Sequence, residues 1–159
     1  MSNDLQNSFA YNGLTASVPG LPAAWYFDPV QHAREMATLW RNNWLYVARS
    51  EGFSKPGAFR TLTIGDQNYL VVRGRSGSLH GFHNTCRHRG SLLCEAVEGQ
   101  LGTSGRIVCP YHQWTYDAED GGLLRTSSFV EPEGFDKSLY GLFQVAIVEW
   151  RGCVFLHPD

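Results

Sequence analysis

The hydrophobic positions of the chain follow two different periods, one near the N-terminus and one over the remaining residues. Residues 1–27 hold scattered apolar residues among Asn, Ser, Ala, Gly and Pro, which predicts an extended N-terminal arm. After the arm, apolar residues recur at intervals of three and four, at Val30, Ala33, Met36, Ala37, Trp40 and Trp44. This is the period of one helix face, and it predicts an α-helix over 28–44. We expect Asp28 to cap that helix, with Pro29 at its first position and Gln31 as the capping-box residue.

Short runs rich in Val, Ile, Thr and aromatic residues dominate residues 45–159, and clusters of Gly, Asn and Asp separate them. This pattern is typical of antiparallel strands joined by hairpins. The predicted strands are 44–48, 59–64, 69–73, 79–83, 106–109, 114–116, 142–150 and 153–157. We therefore expect a mainly β fold over residues 45–159, a small antiparallel β-sandwich or barrel.

Length and composition are those of one folded domain. The chain has 159 residues, of which 43% are hydrophobic and 13% aromatic, enough to bury a core. Its net charge of -2 at pH 7 argues against a nucleic-acid partner and against a polybasic membrane-binding patch. No apolar run is long enough to span a membrane, and no basic start followed by an apolar stretch indicates a secretory signal. We expect a cytoplasmic protein with no membrane partner.

Two short segments each combine one cysteine with one histidine. They are Cys86-Arg87-His88-Arg89-Gly90 and Cys109-Pro110-Tyr111-His112-Gln113-Trp114. The stretch between them is rich in glycine, so the chain can loop out and bring the two segments together. Two thiolates and two imidazoles make a four-ligand metal site. The candidate metal and cofactor ligands are Cys86, His88, Cys109 and His112.

Three interpretations of these four residues remain open at this point. In a Rieske [2Fe-2S] cluster, the two cysteines bind one iron and the two histidines bind the other. In a structural zinc site all four bind one ion, but such sites usually take their thiolates from a Cys-x(2-4)-Cys pair, which neither segment contains. Four unrelated core residues would require two close Cys and His pairs to arise by chance. The mixture of ligand types within each segment favours the [2Fe-2S] cluster.

The two segments resemble the motif of the N-terminal Rieske domain in the large subunits of Rieske non-heme iron oxygenases, the ring-hydroxylating oxygenases. The resemblance covers approximately residues 26–159. It implies a [2Fe-2S] cluster that receives electrons from an NAD(P)H-dependent reductase or a ferredoxin. It also implies that the electrons pass to a mononuclear Fe(II) in the catalytic domain of the same or a neighbouring subunit. There, oxygen from O2 is inserted into an organic substrate by a monooxygenase or dioxygenase reaction.

The catalytic domain of that family has no counterpart in this chain, which ends at Asp159. We therefore expect the chain by itself to transfer electrons and to hold no catalytic residue. A stand-alone Rieske-type ferredoxin is the alternative, although a minimal carrier has no need of the arm and the helix. Residues 109–117, with Gln113, and residues 135–137 resemble the branch of the family that oxidises quaternary ammonium compounds. Aromatic substrates remain open.

Residues beside the candidate ligands also have predicted roles. Gly90 permits close backbone approach, and Trp114 either shields the cluster from water or fills the core. Arg89, together with Arg87, either docks an acidic electron donor or is a solvated loop residue. Two residues beyond His112 the chain has a tryptophan and no hydroxyl group, so we predict a low reduction potential, near about -150 mV.

The remaining cysteines and two histidines have structural interpretations. Cys94 and Cys153 suit small core positions. His80 and His83 alternate along a predicted strand beside apolar residues, where a structural role is more frequent than metal binding.

Overall fold

The computed structural model describes residues 19–102, 104–127 and 130–158. The chain divides into two compact units, Met1–Arg34 and Glu35–Asp159. Most of the predicted arm, residues 1–18, lies outside the described residues. The remainder of the arm contains a 3-10 turn at Ala23–Tyr26, where the prediction has extended chain.

Among the described residues, a two-part helix precedes the strands. It begins with an α-helical part, α1 (Pro29–Glu35), and continues as a π-helical part, Met36–Trp40. The Asp28 side chain caps its first turn as predicted, because Oδ1 accepts a hydrogen bond from the Val30 N–H at 2.9 Å.

The helix ends at Trp40, four residues before the end of the predicted segment. The side-chain amides of Asn42 and Asn43 donate hydrogen bonds to the carbonyl groups of Ala37 and Leu39, which satisfies the last turn and ends the helix. No residue of the helix is buried. The apolar spacing therefore predicted the helix, although no residue on its apolar face is buried. No helix among the described residues is both long and apolar enough to cross a membrane.

Ten β-strands follow the helix within the described part of the chain. They are β1 (Leu45–Arg49), β2 (Ala58–Ile64), β3 (Gln67–Arg73), β4 (Leu79–His83), β5 (Glu98–Gln100), β6 (Arg106–Val108), β7 (Thr115–Asp117), β8 (Leu123–Arg125), β9 (Gln144–Trp150) and β10 (Cys153–His157). Each predicted strand matches one of these to within two residues. The sequence did not predict β5 and β8, because three residues are too few to show an alternating pattern.

The strands form two antiparallel sheets. The larger sheet has the order β1-β10-β9-β4-β3-β2-β5, and the smaller one the order β6-β7-β8. Every pairing is antiparallel, and the larger sheet forms a half-barrel. The predicted mainly β, antiparallel fold is confirmed.

Strand β3 lies at the centre of the core because both of its faces are buried. Tyr69 and Val71 pack in a cluster with residues of β1 and β10, whereas Leu70 and Val72 pack in a second cluster on the opposite face. The second cluster includes both turns that carry the Cys/His pairs, through Cys86, Cys109 and Trp114, as well as Tyr116 of β7. The larger sheet therefore supports the two turns that carry the candidate ligands.

Asn84 anchors the segment that follows β4 to the core. Its side chain is fully buried, and its Nδ2 donates hydrogen bonds at 2.7 Å to Asn68 Oδ1 and to the Cys94 carbonyl. Its Oδ1 accepts a third hydrogen bond, from the Cys94 N–H at 2.9 Å. One amide side chain therefore closes a loop of ten residues that includes the first Cys/His pair.

Replacing Asn84 by alanine should lower the free energy of unfolding by about 3 kcal/mol, because the part-buried backbone groups of Cys94 and the Asn68 amide lose their partners. Urea unfolding followed by fluorescence measures this change. The exposed Asn43 provides the control, and Asn43→Ala should cost no more than about 1 kcal/mol. Equal losses in both variants would contradict the anchoring role of Asn84.

Candidate metal centre

Both Cys/His pairs lie on the same kind of backbone turn. The first Cys/His turn (residues 86–91) follows β4, and the second Cys/His turn (residues 109–114) joins β6 to β7. In each turn, the cysteine carbonyl accepts a hydrogen bond at 3.0 Å from the N–H four residues later. The cysteine N–H donates at 2.8 Å to the carbonyl five residues later. Both backbone groups of Cys86 and of Cys109 are therefore fixed.

Each turn reverses through one residue with left-handed backbone conformation, in the fourth position after the cysteine. In the first turn this residue is Gly90, with φ of 71°, and in the second it is Gln113, with φ of 59°. A Cβ atom on Gly90 would meet no atom within 4 Å. The backbone conformation, and not lack of space, is therefore what favours glycine at this position.

The thiol groups of Cys86 and Cys109 are buried and interact with each other. Burial raises the pKa of the Cys86 thiol. The hydroxyl oxygen of Tyr116 lies 3.2 Å from Cys86 Sγ and accepts a hydrogen bond from the Arg87 N–H at 3.1 Å. Burial, with a further contribution from Cys86, raises the pKa of Tyr116 above its ordinary value. Both groups therefore keep their protons, and either the hydroxyl or the thiol can be the donor in this contact.

The imidazole rings of His88 and His112 lie side by side, with their centroids 4.9 Å apart. The indole of Trp114 stacks on the His88 ring, with 4.8 Å between the ring centroids and an angle of 8° between the ring planes. The centroids of the Tyr111 and His112 rings are 3.8 Å apart. Burial lowers the pKa of His88, and the positive charges of His112 and Arg89 lower it further. These effects favour the neutral imidazole, which is the form that binds a metal.

The four side chains form two like pairs, thiol with thiol and imidazole with imidazole. Among the described residues, no three Cys, His, Asp or Glu side chains are grouped so as to hold one metal ion. A zinc site needs four donors around one ion, whereas a Rieske cluster needs two donors for each of two irons. The Nδ1 atom of His112 is buried and has no hydrogen-bond partner in the described structure, which suits a metal ligand. The donor set fits a [2Fe-2S] cluster.

Arg87 and Arg89 flank His88 but have different surroundings. The guanidinium group of Arg87 lies 3.8 Å from the ring centroid of Phe143, and its Nη2 donates a hydrogen bond to the Leu139 carbonyl at 3.4 Å. Arg89 is exposed. The docking role predicted for both arginines thus remains open to Arg89, whereas the side chain of Arg87 contacts its own chain.

The other cysteines and histidines considered above lie outside this group. Cys94 and Cys153 are half-buried free thiols, and burial raises the pKa of Cys94 to about 11. His80 lies 3.2 Å from a carboxylate oxygen of Glu119, and His83 contacts two aromatic rings. Cys94 packs against the core as predicted. Cys153 belongs to neither cluster of described core residues, and its sulfur accepts a hydrogen bond from Arg49 at 3.5 Å.

Sequence reasoning missed Tyr116. The search for a hydroxyl group considered only the position two residues beyond His112, whereas the structure brings one to Cys86 from a position four residues beyond His112. The available signal was the aromatic-Thr-aromatic order of Trp114, Thr115 and Tyr116, since both aromatic residues pack in the same core cluster.

Two Cys/His turns packed against an antiparallel half-barrel are the arrangement typical of iron-sulfur domains with mixed thiolate and imidazole ligands. Comparison with known families agrees, since the Rieske [2Fe-2S] domain matches residues 43–132. The chain belongs to the Rieske [2Fe-2S] domain family, and the predicted cofactor is confirmed at the level of the family.

The relatives of the chain are oxygenase subunits. The glycine betaine monooxygenase oxygenase subunit of Chromohalobacter salexigens is 41% identical over 136 residues, which are 86% of this chain and 29% of the relative. The chloroplastic choline monooxygenase of Beta vulgaris is 32% identical over 138 residues, 87% of this chain and 30% of the relative. This chain therefore spans about three tenths of the length of these curated relatives.

Solved structures give the same result. The apo form of the quaternary ammonium Rieske monooxygenase CntA superposes with a TM-score of 0.78 at 27% identity and covers 88% of this chain and 40% of that one. A naphthalene 1,2-dioxygenase bound to phenanthrene superposes with a TM-score of 0.74 at 28% identity, over 84% of this chain and 30% of that one. The predicted resemblance to Rieske oxygenases is confirmed.

The raised pKa of Cys94 leads to a reactivity prediction. At pH 8 its reaction with iodoacetamide should be roughly a hundredfold slower than that of an ordinary cysteine, because only the thiolate reacts. The rate should rise about tenfold per pH unit between pH 8 and 10, since the thiol stays protonated up to its raised pKa. Mass spectrometry of the Cys94 peptide measures the rate, with the urea-unfolded protein as reference. Equal rates in the folded and unfolded protein would contradict a raised pKa.

Proposed function

We propose that Cys86 and Cys109 bind one iron of a [2Fe-2S] cluster, and that His88 and His112 bind the other. One observation carries this assignment: two turns with the same backbone hydrogen bonds present two buried thiols and two adjacent imidazoles, with His112 Nδ1 buried and unpartnered. When bound, the cluster accepts and releases one electron at a time.

The surrounding residues of the chain have separate tasks in this proposal. The Tyr116 hydroxyl donates a hydrogen bond to the Cys86 sulfur, which stabilises the added negative charge of the reduced state. The indole of Trp114 covers one face of His88, fixes the plane of that imidazole and excludes water from it. Arg89 provides a positive charge next to His88, where an acidic electron donor can dock.

We further propose that this domain is the electron-transferring part of a multicomponent oxygenase. It takes electrons from an NAD(P)H-dependent reductase or a ferredoxin and passes them to a mononuclear iron in a catalytic domain of the same or a neighbouring subunit. Support comes from the oxygenase subunits among its relatives. A structure of the quaternary ammonium Rieske monooxygenase, 28% identical to this chain with a TM-score of 0.77, is described as revealing inter-subunit electron transfer.

For the substrate of the whole oxygenase, we propose a quaternary ammonium compound. The relatives with this chemistry include glycine betaine and choline monooxygenases, at up to 41% identity. A second candidate is an aromatic hydrocarbon, because naphthalene 1,2-dioxygenase shares the fold at 28% identity.

Four free cysteines, sparse for a secreted disulfide scaffold, support the predicted cytoplasmic location.

The proposed cluster is tested on the purified chain by visible absorption and electron paramagnetic resonance (EPR), before and after reduction with dithionite, with iron and zinc measured on the same sample. The proposal expects a reddish protein with about two irons per chain and a reduced-state signal of low average g. A colourless protein with one zinc per chain would overturn it and return the site to the structural interpretation.

The ligand assignment is tested by replacing His112 with cysteine. The variant should either lose the cluster or retain one with a lower potential than the wild type, because three thiolates and one imidazole stabilise the oxidised state more than two thiolates and two imidazoles do. EPR-monitored redox titration measures the potential. His32→Cys makes the same replacement at an exposed position outside the two Cys/His turns and should leave the spectrum unchanged. An unchanged spectrum and potential in His112→Cys would show that His112 is not a ligand.

Removing the Tyr116 hydroxyl should lower the reduction potential. A hydrogen bond of about 1 kcal/mol that favours the reduced cluster corresponds to roughly 40 mV for a one-electron couple, so Tyr116→Phe should shift the midpoint by about -40 mV. Tyr111→Phe is the matched control, since this exposed tyrosine lies in the second Cys/His turn and contacts the ring of His112. A Tyr116→Phe potential equal to that of Tyr111→Phe would refute the hydrogen bond to sulfur.

A further inference from the structure

The side chain of Arg87 joins the first Cys/His turn to the segment in front of β9. The central carbon of its guanidinium group lies over the Phe143 ring, 3.8 Å from the ring centroid, and Nη2 donates a hydrogen bond to the Leu139 carbonyl at 3.4 Å. Its Nε is buried. The side chain thus occupies a defined position on its own fold, which is unusual for an arginine in a loop.

The backbone of the same residue contacts the Tyr116 hydroxyl. The Arg87 N–H donates to the Tyr116 oxygen at 3.1 Å, and this oxygen lies 3.2 Å from Cys86 Sγ. A phenol has a single proton, and its oxygen here already accepts from Arg87. With Cys86 bound to iron as a thiolate, the Arg87 N–H therefore helps to direct the Tyr116 proton toward the sulfur. A displacement of the backbone at Arg87 would disturb this geometry.

We propose that Arg87 is a positioning residue for the reduction potential. Its guanidinium group clamps the first Cys/His turn onto Phe143 and the Leu139 carbonyl, and so holds the backbone N–H that orients Tyr116 toward Cys86. This role rests on the proposed cluster ligation. It differs from the role of Arg89, which carries the same charge on the other side of His88 but is exposed.

Charge and position can be separated experimentally. Loss of either positive charge favours the oxidised cluster, so Arg89→Met measures the effect of charge alone. Arg87→Lys keeps the charge but replaces the planar guanidinium that lies on the ring, and Phe143→Leu removes the ring without any change of charge. Phe143 is 58% exposed, so this substitution leaves the core intact.

The experiment is an EPR-monitored redox titration of these variants in the whole chain, each alone and combined with Tyr116→Phe. Clamping by Arg87 requires that Arg87→Lys and Phe143→Leu both have lower midpoint potentials than the wild type. It also requires that their shifts disappear in the Tyr116→Phe background, because the hydrogen bond through which they act is then absent. Iron content and g values establish that each variant holds the same cluster.

Several results would overturn the clamp while leaving the cluster assignment in place. One is a wild-type potential in both Arg87→Lys and Phe143→Leu, which would leave charge as the whole contribution of Arg87. Another is a shift that persists undiminished without the Tyr116 hydroxyl. A wild-type chain that binds no cluster would instead overturn the proposed function and the role of Arg87 together.

Discussion

The site depends on the two backbone hydrogen bonds that each cysteine makes within its own turn. The carbonyl group closes the turn, and the N–H ties the cysteine to the far end of the same turn. Because Cys86 and Cys109 are held by main-chain atoms, their positions do not depend on the residues between cysteine and histidine. One turn can therefore carry its imidazole at the second position after the cysteine and the other at the third. Unequal spacing in sequence still delivers two equivalent pairs of donors.

The cysteine side chains of the site are more deeply buried than its histidine side chains. The thiols lie in the core beneath the half-barrel, whereas the imidazoles are half-buried and have aromatic side chains beside them. The surface of the site is therefore on the histidine side. The surface there combines exposed Tyr111, Leu139 and Phe143 with the charge of Arg89. Aromatic residues and arginine are enriched at protein interfaces, so this composition suits a transient contact.

The sequence predicted the strands well because each long strand alternates or is continuously apolar. It predicted the candidate ligands because Cys and His stood together twice. It did not predict the contacts that residues far apart in the chain create. Tyr116 reaches Cys86 only because β7 lies against the first Cys/His turn. The different surroundings of Arg87 and Arg89 depend on where residues 139–143 pack, and no local pattern contains that information. The end of the helix at Trp40 follows from capping by two asparagines whose side chains fold back.

The proposed cluster and the proposed substrate rest on different kinds of observation. The cluster rests on groups within this chain, and the fold that carries them is shared by CntA and naphthalene dioxygenase at nearly equal TM-scores, 0.78 and 0.74. The fold therefore does not distinguish a quaternary ammonium substrate from an aromatic one. The cavity beside His88, lined by Trp114 and Phe135, has a volume of about 120 Å³, below the range of roughly 300–1,000 Å³ typical of small-molecule sites. The proposed quaternary ammonium substrate thus rests on sequence identity to glycine betaine and choline monooxygenases. A change in the cluster ligands would therefore test electron transfer but not the choice of substrate.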